Sequence, residues 1–223
     1  ADLTIEKINE VYIKIDCEPG IEREISDRFT FDAPGAKFMP QYRKKYWDGK
    51  IRLYNLQNKR LYVGLLDKLI AFAENNYYTY QFVENKYYGA PFEVNDFVSR
   101  DGVKDYMNNL VPSMKVRDYQ IDAVYDALRY NRKLLISPTA SGKSLMIYSV
   151  VRFFIAKKQK ILLVVPTTSL VEQMYKDFED YGWDVENHCH KIYSGKEKTN
   201  EHSVTITTWQ SVYNLERSFF EDY

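Results

Sequence analysis

SPTASGKS, residues 137–144, is the stretch whose reading decides the fold. A short apolar run, Lys133-Leu134-Leu135-Ile136, leads into it, and a strongly apolar one, Leu145 to Ile155, follows. Strand, loop, helix is the context in which a phosphate-binding loop works. Successive backbone N–H groups around Ala140 to Ser144 can curl round an anionic phosphate at a helix N-terminus, where the helix dipole favours negative charge. Gly142 removes the side chain where backbone and phosphate come nearest. Lys143 reaches the outer phosphates, and the Ser144 hydroxyl can ligate magnesium. Ser137 stands where the strict GxxxxGK[ST] pattern has its first glycine, so the match is near rather than complete. A serine-rich turn with no ligand would also carry these residues, but Gly-Lys-Ser at a strand-to-helix junction is rarely idle.

Outward from the loop, helical and strand periods alternate. Tyr119, Ala123, Val124, Ala127 and Leu128 fall on one helix face, and Leu134–Ser137 is expected as a strand. After the Leu145–Ile155 helix comes Ile161-Leu162-Leu163-Val164-Val165, apolar throughout, as a parallel strand covered on both faces should be. Leu170, Val171, Met174, Phe178 and Tyr181 then recur with helical period, and His190–Tyr193 and Val204–Thr208 are shorter strand candidates. Alternation of this kind predicts an α/β unit with a parallel sheet over residues 113–223.

Residues 1–112 read as a separate, small α+β module. Val11 to Asp16 alternates as a half-buried strand and Ile21 to Phe29 as a short helix. Ile51–Tyr54 with Leu61–Val63 reads as a strand pair, and Leu65–Glu74 as a helix. The polar stretch Phe97 to Pro112 is the expected connection between modules. One segment of this module, Lys37 to Arg60, holds eight positive charges against the single negative Asp48, in a module otherwise acidic. Tyr42, Tyr46, Trp47 and Tyr54 are interleaved with the cations. Cations that end on phosphates, with flat rings that stack, form a nucleic-acid surface. The alternative is a solvated hairpin turned at Asp48-Gly49, with Trp47 in the core.

Upstream of the loop lies VRDYQIDAV, Val116 to Val124. A glutamine amide offers one donor and one acceptor, which match the Hoogsteen edge of adenine. Gln120, seventeen residues before Ser137, is the candidate, with Arg117 beside it. By itself Asp118-Tyr119-Gln120 could equally cap a helix. Downstream, Thr167, Thr168, Thr207 and Thr208 close buried strand candidates, at the edge where open α/β sheets place ligands. Their hydroxyls suit phosphate oxygens, which position a strand without reading its sequence. Helix capping and strand packing are the other uses of threonine there.

The order R-x-x-Q, S-P-T-A-S-G-K-S, V-V-P-T-T-S-L-V-E-Q, T-I-T-T-W-Q-S resembles the first RecA-like domain of superfamily 2 DNA helicases. Arg117 and Gln120 match the Q motif and Pro138–Ser144 motif I. Val165–Gln173 matches motif Ia, and Thr207–Ser211 motif Ib. Phe38, Pro40 and Trp47–Gly49 in the basic aromatic module are similar to the UvsW-like phage helicases of that superfamily. The resemblance implies an incomplete RecA-like parallel sheet, preceded by an α+β DNA-binding module, in an ATP-dependent helicase of branched DNA and R-loops. It implies ATP and Mg2+ as cofactors, with Lys143 and Ser144 catalytic and Ser144 on the metal. Arg117, Gln120, Pro138, Thr139, Ala140, Ser141 and Gly142 complete the nucleotide site. Expected DNA contacts are Lys37, Tyr42, Arg43, Lys44, Lys45, Trp47, Lys50, Arg52, Thr167, Thr168, Thr207, Thr208 and Gln210. The partner is duplex, branched or single-stranded DNA, or an RNA–DNA hybrid, met by a monomer in the bacterial host cytoplasm.

Two departures stand out. Ala140 occupies a position where the family usually has glycine. No Asp-Glu pair of the D-E-x-H kind occurs, Glu221-Asp222 being reversed, so an N-terminal fragment of a helicase is expected. Phosphoryl transfer in such enzymes also needs arginines from a second RecA-like domain.

Composition sets bounds. Lys plus Arg equals Asp plus Glu at 31 each, so any hold on nucleic acid is local rather than global. No apolar run approaches the roughly 18 residues that cross a bilayer, and ADLTIEKINE has no signal-peptide pattern. Cys17 and Cys189 lie far apart with no C-x-x-C, which predicts free thiols in a reducing compartment. His188-Cys189-His190 is a poor metal site, because strand alternation turns Cys189 away from both histidines. A small-molecule kinase would explain the loop but neither Gln120 nor the basic aromatic segment. A non-catalytic DNA-binding module with a nucleotide fold would explain both.

Overall fold

The computed structural model describes residues 1–92, 94–193 and 202–223. The chain forms two units, Ala1–Glu93 and Val94–Tyr223. In the first, alternation builds the sheet. Leu3 and Ile5 of β1 (Leu3–Lys7) and Ile13 and Ile15 of β2 (Tyr12–Cys17) are fully buried, while their neighbours face out. The strands pair antiparallel with Ile5 opposite Ile15. With β5 (Arg60–Tyr62) and β6 (Tyr80–Val83) they form a four-stranded sheet in the order β5-β2-β1-β6, in which β1 and β6 are parallel. Two helices close its apolar face, α1 (Pro19–Arg28) through Ile25 and α3 (Leu66–Asn75) through Leu69 and Phe72. Each such fully buried aliphatic side chain contributes about 1.5–3 kcal/mol.

A smaller ribbon pairs β3 (Thr30–Asp32) with β4 (Lys50–Arg52), and α2 (Pro40–Arg43) lies in the connection between them. This corrects one expectation. The segments around Ile51 and Leu61 do not pair with each other as strands. β4 pairs with β3 and β5 with β2, and only an isolated bridge joins Asn55 to Arg60. Tyr54, between them, is buried and donates its hydroxyl to Glu22 at 3.0 Å. Burial first, then the Glu22 carboxylate, drive its phenol pKa upward.

In the second unit, α4 (Arg100–Leu110) starts at Ser99, whose hydroxyl accepts from the Gly102 N–H. It packs Val103 and Met107 against Ile121, Val124 and Leu128 of α5 (Asp118–Tyr130). The polar stretch expected as a connection is therefore mostly helix. Val103, Met107 and Val111 are buried at a spacing of four, a single apolar line too narrow to stand out in a stretch otherwise polar. Arg100 ties the pair together through Asp118 and Asp122. Next come α6 (Lys143–Ala156), β7 (Ile161–Val165), α7 (Thr168–Asp180), α8 (Val185–His188), β8 (Cys189–Ile192) and β9 (Val204–Thr208). Two short helices, α9 (Trp209–Val212) and α10 (Arg217–Phe220), follow.

The sheet is parallel, in the order β7-β9-β8, with Val165 level with Thr208. β9 is buried along its whole length, as a central parallel strand should be. The Leu134–Ser137 strand is the second correction. That segment has no ladder partner among the described residues, and Leu134 and Ile136 are 83% and 92% exposed. An apolar run makes a strand only where a neighbour takes its backbone hydrogen bonds, and none of the three strands here does.

Candidate nucleotide and nucleic-acid sites

The phosphate loop is held from below by α5. Gln120 donates through Nε2 to the Ser141 carbonyl at 3.0 Å, and its Oε1 accepts the Arg117 N–H at 3.0 Å. Tyr119 donates its hydroxyl to the same Ser141 carbonyl at 2.9 Å, and Arg117 donates to the Tyr119 hydroxyl at 3.1 Å. Gln120 is buried, with both ends of its amide engaged. In this conformation it does not present the amide to a base; it fixes the loop. Tyr119, expected on the apolar face, is 43% exposed and faces the loop instead.

Within the loop, Ala140 (φ 62°) and Gly142 (φ 77°) are both left-handed. Alternating hands of this kind turn consecutive N–H groups to one side and make an anion-binding concavity. The family's glycine preference at position 140 follows directly, since a left-handed residue with a Cβ costs about 1–2 kcal/mol. Gly142 is required more strictly, because a Cβ there would lie 2.3 Å from Gln120 Nε2. The Ser137 and Ser141 hydroxyls bond across the loop. Lys143 folds back over it, donating to the carbonyls of Pro138 at 2.6 Å and Ser137 at 3.2 Å. Ser144, one residue further into α6, is half-buried. Beside the loop is a cavity of about 490 Å³, lined among others by Arg117, Tyr119, Ile136 and Pro138.

The threonines divide. Thr167 caps α7, its Oγ1 accepting the Leu170 N–H at 3.3 Å, and Thr168 is exposed. Thr207 is fully buried and donates to the Ile192 carbonyl at 2.7 Å, which corrects its expected DNA role: the hydroxyl is used inside the sheet. Thr208 is buried and shares a hydrogen bond with Ser211 at 2.9 Å, whereas Gln210 is exposed. Position in the sheet explains the split, since Thr207 lies beside the Ile192 carbonyl of β8, on the face opposite Ile206, and Thr208 ends the strand.

In the other unit, the basic aromatic segment folds into a loop with its own pocket. α2 ends with the Tyr46 N–H on the Gln41 carbonyl and the Lys45 N–H on the Tyr42 carbonyl, a Schellman turn. Glycine is usual at its left-handed position, but Lys45 holds it at φ 59°. Trp47 is half-buried rather than core, and its Nε1 donates to the Lys50 carbonyl at 2.9 Å. Gly49 (φ 78°) lies against the Tyr42 ring, where a Cβ would come within 2.9 Å of Cε2. Arg52 bonds both Asp48 oxygens and, with the Lys50 N–H, lowers the Asp48 pKa to about 2. Lys37, Tyr42, Arg43, Lys45, Tyr46 and Trp47 line a cavity of about 590 Å³. Lys44, Lys50 and Arg52 are exposed nearby in the segment.

Residues 2–83 match the family of the DNA helicase UvsW N-terminal region, and residues 113–222 match that of the type III restriction enzyme res subunit. A curated relative, the ATP-dependent DNA helicase uvsW of Enterobacteria phage T4, is 31% identical over 222 residues. The chain is UvsW-like. That match covers 95% of this chain and 43% of the relative, so the chain spans less than half the length of the phage T4 protein. One crystal structure of T4 UvsW superposes over the whole chain with a TM-score of 0.81 at 30% identity, covering 46% of that chain. A second gives a TM-score of 0.79 at 29% identity and covers 80% of that chain.

In this UvsW-like frame several participants were not singled out by sequence. The Tyr119 hydroxyl is one, its place in Asp-Tyr-Gln being the only signal. Trp209 and Tyr213, 55% and 62% exposed with ring centroids 5.4 Å apart, form an aromatic pair just after β9. Cys189 is buried, which pushes its thiol up to about 12. Among the described residues no metal-binding cluster occurs, and no helix is long and apolar enough to cross a membrane.

The clasp gives a direct prediction. Gly142→Ala should destabilise the second unit by about 2–4 kcal/mol, combining left-handed strain with displaced Gln120 hydrogen bonds. Urea unfolding of residues 1–223 measures it. A midpoint equal to the parent's would show that Gln120 does not hold the loop.

Proposed function

We propose that the protein acts as an ATP-dependent DNA helicase or translocase on branched DNA and R-loops, in recombination, repair and replication. The observation that carries this reading is the phosphate loop clasped at Ser141 by an R-x-x-Q helix. ATP enters with its phosphates over Ala140–Ser144 and its base towards the cavity at Arg117 and Tyr119. Lys143 leaves the Ser137 and Pro138 carbonyls for the outer phosphates, an exchange of neutral acceptors for anionic ones that favours the bound state. The half-buried Ser144 hydroxyl is placed to hold Mg2+, which neutralises phosphate charge. Gln120 reaches adenine only if its present bonds exchange, so it acts first as the loop's support.

DNA is gripped by phosphate contacts from Lys37, Arg43, Lys44, Lys45, Lys50 and Arg52, with Tyr42 and Trp47 beside them. Thr167, Thr168, Thr208 and Gln210 lie at the end of the parallel sheet where a strand's backbone can run, and the exposed Trp209 can stack a base. The protein works as a monomer in the bacterial host cytoplasm, on duplex, branched or single-stranded DNA or RNA–DNA hybrids.

Among residues 1–223 the reversed acidic pair is committed elsewhere, Glu221 to Arg217 and Asp222 to Lys160. Residues 1–223 should therefore bind ATP and DNA without turning ATP over, as hydrolysis needs a positioned water and a charged clamp on the γ-phosphate. Fluorescent-nucleotide titration and a phosphate-release assay with and without DNA test this. Failure to bind ATP overturns the reading, and DNA-stimulated turnover overturns the assignment of catalysis to other residues.

A further inference from the structure

The basic aromatic loop of the first unit is concave, and its concavity is large enough to admit one nucleotide. Its volume of about 590 Å³ lies within the range of small-ligand pockets. A paired base, stacked on both faces, presents no ring to such a pocket. An unpaired one does. The walls combine the two chemistries a nucleotide requires, rings at Tyr42, Tyr46 and Trp47 and cations at Lys37, Arg43 and Lys45.

Four features set these walls before any ligand arrives. Trp47 is tethered by its Nε1 to the Lys50 carbonyl. The Arg43 Nε donates to the Lys37 carbonyl at 3.3 Å, which ties two lining residues together. Gly49 lets the Tyr42 ring lie directly on the backbone. Lys45 occupies the left-handed turn position that glycine would fill with less strain, so a cation is held at the mouth against the backbone's preference. Tyr46 is 83% exposed, an aromatic face left to water beside these groups. Asp48 also lines the pocket, but its carboxylate is bound to Arg52, so it does not stand as a free anion against a phosphate.

We propose that this pocket takes one unpaired nucleotide of DNA, with its base stacked on Tyr46 and Trp47 and its phosphate on Lys37, Arg43 and Lys45. The inference rests on reading the segment as a DNA surface and deepens it, from general phosphate attraction to recognition of a base that has left the helix. Such bases occur at bulges, gaps and branch points.

The experiment uses residues 1–223 and three short duplexes: fully paired, with a one-nucleotide bulge bearing 2-aminopurine, and with the same bulge made abasic. Stacking predicts that the base-containing bulge binds about tenfold more tightly than the paired duplex. Its 2-aminopurine emission should fall on binding, and the abasic bulge should lose the preference. Tyr46→Ala should collapse the ratio of bulged to paired affinity, and Tyr46→Phe should restore it. The pocket is refuted if the abasic bulge keeps the preference, which would mean a bend is recognised, or if Tyr46→Ala keeps it. Paired-duplex binding that depends on salt, with no bulge preference, removes the pocket and leaves the DNA surface standing. No salt-dependent DNA binding at all removes both.

Discussion

Lys143→Ala is expected to lower ATP affinity by about two to four orders of magnitude while leaving the fold intact. The lysine is exposed and its only described bonds are to the carbonyls of Ser137 and Pro138, so its removal opens no cavity. Alanine is the strongest helix former, so the first turn of α6 persists. What disappears is the mobile cation. Charge-assisted hydrogen bonds contribute about 1.5–3 kcal/mol each, and losing two gives the stated range. Nucleotide titration beside thermal melting is the measurement. Affinity near that of the parent would remove the phosphate-loop assignment. In a longer UvsW-like protein the same change should abolish hydrolysis.

The second large effect belongs to the other unit. Replacing Arg43, Lys44 and Lys45 together with Glu should weaken binding to every DNA sequence tested. It should also flatten the salt dependence, because each phosphate contact contributes about −0.9 to the slope of log affinity against log salt. Losing three shifts the slope by about 2.7 units. All three side chains are exposed, so folding should survive, apart from the Arg43 bond to the Lys37 carbonyl. Trp47→Ala is a poorer probe, since it also cuts the tether to Lys50 and needs circular dichroism beside it. Unchanged affinity and slope in the triple variant would mark the segment as a solvated face.

What could be read from the sequence was what short-range pattern controls. β7, helices α5 to α7 and the phosphate loop announce themselves by an unbroken apolar run, helical period and Gly-Lys-Ser. The basic aromatic segment was visible for the same reason, being contiguous. Pairing at a distance was not. β1 meets β6 across more than seventy residues, and nothing local in Leu3–Lys7 names that partner. Leu134–Ser137 shows the converse, a strand-like sequence without a neighbour to make it one. Site chemistry divided similarly. Residue types at the loop were legible, but that Gln120 spends its amide on Ser141, and that Thr207 turns inward, depends on register and packing that spacing does not encode.

The double grip on the Ser141 carbonyl makes the phosphate loop a mechanical part as well as a binding one. Two donors from adjacent α5 residues hold one peptide plane, and the Gln120 amide fills the space a side chain at Gly142 would need. α5 in turn is keyed to α4 by Met107, Val103 and the Arg100 ion pairs. The linkage has little slack. A loop pinned at one peptide plane to two packed helices is one that cannot shift without them.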